Sequence, residues 1–208
     1  MHKGEKFNSI THLLGAVAAA AGLTVLLVFV SLEGDPWKIV SFSIYGASLF
    51  IMYLSSTLYH SLKKGGMKNF FKKLDHDSIY ILIAGTYTPF ALVTLRGTWG
   101  WTVFGIEWGL AAVGIVLDFF PRIVKEHRTL PLFIYILMGW LGIVTVKPMI
   151  EIFPVLGLWI IIIGGIFYTV GIVFYLFDHR FRHFHGIWHL FVLAGSVSHF
   201  VSIILYVD

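Results

Sequence analysis

The sequence predicts an all-α integral membrane protein: a bundle of seven transmembrane helices, N-terminus cytoplasmic and C-terminus outside. Three observations carry that prediction. Hydrophobic residues make up 58% of the 208 and charged residues only 12%, whereas a soluble domain carries roughly a quarter charged. Apolar stretches of about 20 residues, the length a helix needs to cross a bilayer, recur along the chain. The lysines and arginines between them concentrate in every second connection, on one side of the membrane.

The chain reads as a single transmembrane domain, 1–208, with spans near 10–31, 37–60, 76–95, 99–120, 130–149, 154–177 and 186–207. Span one contains the small-residue run Ala18 to Ala21, which resembles a signal cleavage region, but its apolar stretch continues through Val30 and reads as an uncleaved span. Connections are short, so consecutive helices are expected to be antiparallel neighbours. Span three contains Gly85-Thr86-Tyr87-Thr88-Pro89; the proline should bend it, with threonine hydroxyls covering the freed carbonyl. Span four carries Glu107 at mid-depth, where an unpaired carboxylate costs several kcal/mol, so it must face the interior or be protonated. Span five, with Pro131, Lys147 and Pro148 at its ends, is the weakest. Glycines in spans four and six allow close helix approach. Trp37, Trp99, Trp101 and Trp159 sit near predicted outer ends, where indoles favour the interface.

Orientation follows from the basic residues. With the N-terminus inside, the cytoplasmic segments carry Lys3, Lys6, Lys63, Lys64, Lys68, Lys72, Lys73, Arg122, Lys125, Arg128, Arg180 and Arg182, twelve against three (Lys38, Arg96, Lys147) on the other side. Cytoplasmic loops are the ones that accumulate Lys and Arg. The net charge of +4 therefore marks topology and anionic headgroups rather than nucleic acid, whose binding surfaces interleave aromatics with basic residues.

The last span opens His185-Gly186-Ile187-Trp188-His189. Imidazoles four residues apart share a helical face, the spacing that presents two nitrogens to one metal ion. There is no Cys, so a metal would need His, Asp, Glu or water. The predicted topology brings His60, closing span two, and Asp75, preceding span three, to the same depth as His185 and His189. Three neutral histidines with one open position match a catalytic zinc site, and a nearby carboxylate can orient or deprotonate water. Depth follows from Lys and Arg alone, so the convergence is independent of the histidines. The competing reading makes His60 and His189 interfacial side chains bonded to loop carbonyls, and Asp75 a cap of helix three.

Other polar residues fall around this set. Ser56, one turn before His60, either donates to a ligand or substrate or bonds back to a helix carbonyl. Asp77 is the second-choice carboxylate. Glu5, Asn8 and His12 form one stripe that braces the site or caps helix one. Gly186 is expected to leave room for water or a lipid headgroup. Asp118, Asp178, His179 and His183, in basic cytoplasmic loops, are expected to be solvated or interfacial. His199 lies about 21 Å along the helix from His185, too far to share a metal, and should line a polar cavity or pack near the outer side. Nucleotide-binding, nucleophile-elbow and H-E-x-x-H signatures do not occur.

The motifs Ser56-Thr57-Leu58-Tyr59-His60, Leu74-Asp75 and His185-x-x-x-His189 resemble those of the progestin and adipoQ receptor superfamily, and Glu5-x-x-Asn8-x-x-Thr11-His12-Leu13-Leu14-Gly15 resembles its N-terminal motif. The compact form is similar to the bacterial hemolysin III branch. This resemblance covers essentially the whole chain. It implies zinc held by His60, His185 and His189, Asp75 as general base beside the metal-bound water, and Ser56 as a hydrogen-bond donor. It also implies a multi-pass protein of the bacterial plasma membrane whose partners are membrane lipids, with hydrolysis of a lipid amide or ester as the activity. The alternatives are a zinc-stabilised sensor without turnover and the cytolysin that the branch name suggests.

Overall fold

In the computed structural model, residues 5–120 and 129–208 are described and are helical apart from short connections. Among the described residues, seven helices run α1 Lys6–Glu33, α2 Pro36–Ser61, α3 Gly66–Pro89, α4 Thr98–Leu117, α5 Leu130–Ile152, α6 Val155–Leu176 and α7 Phe184–Tyr206. The predicted all-α architecture is therefore the observed one, and six of the seven are long and apolar enough to cross a membrane. Lys3, Arg122, Lys125 and Arg128, which entered the charge argument, lie outside the described residues.

Chain neighbours pack together: α1 along α2, α2 along α3, α3 on α4, and α6 along α7, while α5 touches α3, α4 and α6. Contact between α1 and α7 closes the ring. Its polarity is inverted relative to a soluble protein. Leu14, Val17, Leu32 and Leu205 face outward, whereas Ser9, His12, Ser56, His60, Glu107 and His189 are buried. Lipid tails are as apolar as leucine, so nothing drives leucine inward, while polar side chains must find one another inside.

Tight turns set the helix ends. Gly34 closes α1 at φ 77°, a left-handed conformation that a Cβ disfavours. Asp35 then caps α2, accepting from Trp37 N at 2.7 Å, with Pro36 in the first turn. At the same end Lys38 bridges Glu33 (2.7 Å) and Asp208 (2.6 Å), and Trp37 receives Arg96 at 4.5 Å and Trp101 at 6.0 Å. The Lys38 ammonium holds the Asp208 carboxyl below its ordinary range.

α3 corrects one boundary. It starts at Gly66, well before the expected 76, because Lys68, Lys72, Lys73, Asp75 and Asp77 make its first half look like a loop by hydropathy. Asp75, Asp77 and Ser78 are nonetheless buried against the bundle. Asp75 thus lies more than two turns inside the helix, which removes the capping explanation for it.

Two helices break where proline is present. After Pro89, α3 widens into a π turn over Phe90–Thr94. Thr86 and Thr88 donate to Leu82 O and Ala84 O, not to Gly85 O, the carbonyl that Pro89 frees, so the expected covering of that carbonyl is not what the hydroxyls do. α5 tightens into a 3-10 turn at Leu141–Thr145 and resumes at Val146, which puts Pro148 in a first turn where it needs no N–H partner. Tyr87 of α3 bridges this break: its hydroxyl donates to Gly139 O (3.0 Å) and accepts from Gly142 N (2.8 Å).

Candidate metal centre

The end of α2 and the start of α7 meet under the N-terminus of α1. That juxtaposition brings His60, His185 and His189 together, with one ligating nitrogen from each within 4.8 Å of the others. His60 and His189 are buried at 3% and 0% exposure, and their ring centroids stand 5.1 Å apart. His185 lies 5.1 Å from His60 and 4.8 Å from His189. The cluster could hold a metal ion.

Two of the imidazoles are held at Nδ1, and a carboxylate faces the third without a hydrogen bond. His185 Nδ1 meets Asp178 Oδ2 at 2.7 Å. His189 Nδ1 meets Asn8 O at 3.3 Å and lies 3.4 Å from Thr11 Oγ1. Glu5 Oε2 sits 3.5 Å from His60 Nδ1 and pairs with Lys68 at 2.7 Å. Burial pushes the Glu5 carboxyl up, but contact with Lys68 and His60 outweighs it and the net displacement is downward. The Nε2 atoms of all three histidines are buried and unpartnered among the described residues. Orphaned imidazole nitrogens are costly in an apolar interior, and a proton-bearing Nδ1 facing a carboxylate or carbonyl leaves Nε2 with a lone pair for a cation. The donor set fits a divalent ion that accepts nitrogen ligands.

The stripe on α1 braces this arrangement. His12 stacks on His189 at 3.6 Å between centroids, and its edge meets Tyr53 at 5.1 Å. Gly15, one turn on, leaves space for the Tyr53 ring. Two expectations change here. Asp178 is not simply solvated, because it pairs with His185. The space beside Gly186 is taken by Phe7 and Asn8 rather than left to water or a headgroup.

Asp75 stands apart from the three-histidine group and lines the adjoining cavity, with Ser56 as its hydrogen-bond partner. Ser56 therefore turns to the carboxyl, whereas its neighbours Ser55 and Thr57 bond back to carbonyls of their own helix. Asp77 turns instead toward Asp118 at the end of α4, where two carboxyls can hydrogen-bond only by sharing a proton. The cavity, of about 340 Å³, is mostly apolar and runs between α3, α5, α6 and α7. Asp75, His12 and Trp188 line it near the cluster; Leu158, Met149 and His199 line it farther along. Sequence reasoning anticipated a cavity only at His199, and a polar one; the extent and apolar character were not legible, since its walls are ordinary span residues and only the gap between helices creates it. Glu107 is fully buried, with neither carboxyl oxygen partnered among the described residues.

A family model described as "Haemolysin-III related" matches residues 1–200. The chain is 45% identical over 206 residues to Hemolysin-3 of Bacillus cereus, covering 99% of this chain and 92% of that protein. It is 44% identical over 204 residues to the Hemolysin-3 homolog of Bacillus subtilis, covering 98% and 94%. Monocyte to macrophage differentiation factor of Homo sapiens is 29% identical over 201 residues, covering 94% and 81%.

Proposed function

The chain belongs to the haemolysin-III-related family, and from that premise we propose that it is a zinc-dependent hydrolase of lipid amides or esters. We place it in the bacterial plasma membrane with the metal centre toward the cytoplasm. The observation that carries this reading is the adjacency of three orphaned histidine nitrogens to an apolar cavity with one buried carboxyl on its wall. The cavity suits a lipid chain, and the carboxyl sits where a scissile amide or ester would emerge from it.

His60, His185 and His189 would hold the ion; bound zinc supplies Lewis acidity toward a carbonyl and toward water. Asp178 and Asn8 fix the orientations of His185 and His189, and the Glu5 carboxylate faces His60. Asp75 takes a proton from the attacking water and returns it to the leaving group, with Ser56 holding the carboxyl in place. Burial of α7's first turns beneath Phe7 and His12 limits the approach of bulk water.

Purified protein is expected to contain about one zinc per chain, and His189→Ala to lose both metal and turnover. Asp75→Asn is expected to keep the metal and lose turnover by about a hundredfold or more. A protein that retains zinc yet consumes no member of a broad panel of lipid amides and esters would overturn the enzyme reading.

A second reading has its own support: the three histidines come from only two helices and join the end of α2 to the start of α7. A sensor stapled this way would lose thermal stability on chelation, consume no substrate, and tolerate Asp75→Asn. The relatives' name suggests cytolysis. Dye release from liposomes tests it, and silence at high protein-to-lipid ratio counts against it.

A further inference from the structure

Deeper in the same cavity, α6 and α7 seat two polar side chains reciprocally. A Cβ at Gly195 of α7 would come within 2.8 Å of the Tyr168 ring, and a Cβ at Gly164 of α6 would overlap His199. Both seats are therefore made for the rings they hold, and both rings line the cavity. Their centroids are 5.4 Å apart. His199 is ten residues beyond His189, which places it about 15 Å farther along α7.

The hydrogen bonds leave one donor and one acceptor over. Tyr53 donates to Ser196 Oγ at 2.8 Å, and Ser196 contacts Tyr168 at 2.8 Å. Three hydroxyls carry three hydrogens, and the two contacts use two of them. Ser196 is 4% exposed and has no third partner among the described residues, so its hydrogen goes to the Tyr168 oxygen. The Tyr168 O–H is then left for the cavity. His199 Nε2 faces Ile161 O at 3.1 Å and must carry the proton. That leaves His199 Nδ1 as an acceptor, buried and without a partner.

We propose that Tyr168 and His199 form a second subsite that recognises a hydroxyl group on the chain of a bound lipid, some way from its scissile end. A hydroxyl accepts from Tyr168 and donates to His199 Nδ1 together. A carbonyl or ether only accepts and leaves Nδ1 orphaned; a plain methylene leaves both. The subsite rests on the reading that the cavity holds a lipid chain, and it goes beyond that reading by setting which chains are preferred.

The test is binding to the purified, metal-containing protein in detergent, by displacement of a fluorescent fatty acid. The probes are octadecanoic acid and a positional series of monohydroxyoctadecanoic acids. One hydroxyl position is expected to bind about five- to tenfold tighter than octadecanoic acid, the scale of one or two net hydrogen bonds. Tyr168→Phe, nearly isosteric, and His199→Leu should each erase that preference. Octadecanoic acid should still bind the Tyr168→Phe variant, at least as tightly as the wild type because the orphaned O–H is gone, which also reports that the variant is folded. Equal binding across the series, with octadecanoic acid bound, overturns the subsite and leaves the lipid reading standing. A preference that survives Tyr168→Phe overturns it as well. Failure of every acid to bind overturns both.

Discussion

His189 concentrates the constraints on this site. Its ring is stacked on one face by His12, held at Nδ1 by Asn8 O, and fully buried. A ligand so fixed binds a cation without losing rotamer freedom at that moment. The same logic applies to Asp178, which orients His185. Asp178→Ala is expected to weaken zinc by about 10- to 100-fold, measured by competition with a chromophoric chelator, although no ligand is removed. Glu107 presents the opposite case, a buried carboxyl with no partner among the described residues. Replacing the carboxyl by a neutral amide of the same shape breaks no hydrogen bond among the described residues, so Glu107→Gln is expected to leave the melting temperature in detergent unchanged or raise it. A marked fall would mean that the Glu107 carboxyl makes a contact that stabilises the bundle.

At the scale of elements, irregular backbone is tolerated where another helix satisfies it. The break in α5 frees backbone groups at Gly139 and Gly142, and the Tyr87 hydroxyl serves both. Tyr87→Phe should cost about 1–3 kcal/mol, since it orphans a donor and an acceptor in apolar surroundings; thermal unfolding in detergent measures it. The contact of α1 with α7 is set by Gly186, whose missing side chain admits Phe7 and Asn8. Gly186→Val is expected to displace Asn8 from His189 Nδ1 and lower zinc affinity without touching a ligand, read by the same chelator competition. An unchanged affinity would mean that the α1 stripe does not position His189.

Across the whole molecule, the metal cluster and the Lys38 bridge lie at opposite ends of the bundle. The first joins α2 to α7; the second joins the α1–α2 turn to Asp208 beyond α7. An ion that binds only the folded bundle stabilises it by mass action. Chelation should therefore lower the melting temperature, and His60→Ala should reproduce that fall with no further effect of chelator. Additive effects would separate His60 from the metal.

How much was legible in advance follows from which forces are local. Seven helices and most of their limits followed from apolar run length, since a chain in lipid must close its backbone hydrogen bonds within each segment. The early start of α3 was hidden because five charged residues in its first half lower the hydropathy, although only Asp75 and Asp77 among them are buried. The histidine set was legible from an i, i+4 pair and from depth, both readable along the chain. The Asp178 and His12 contacts, the filling of the space at Gly186, the cavity and the Tyr168–His199 seats depend on which helix lies against which. Composition determined that this chain is a membrane bundle and where its segments lie. Only the tertiary structure decided which nitrogens are left without partners and what open volume they adjoin, because helix approach in lipid is set by side-chain shape and not by hydrophobicity.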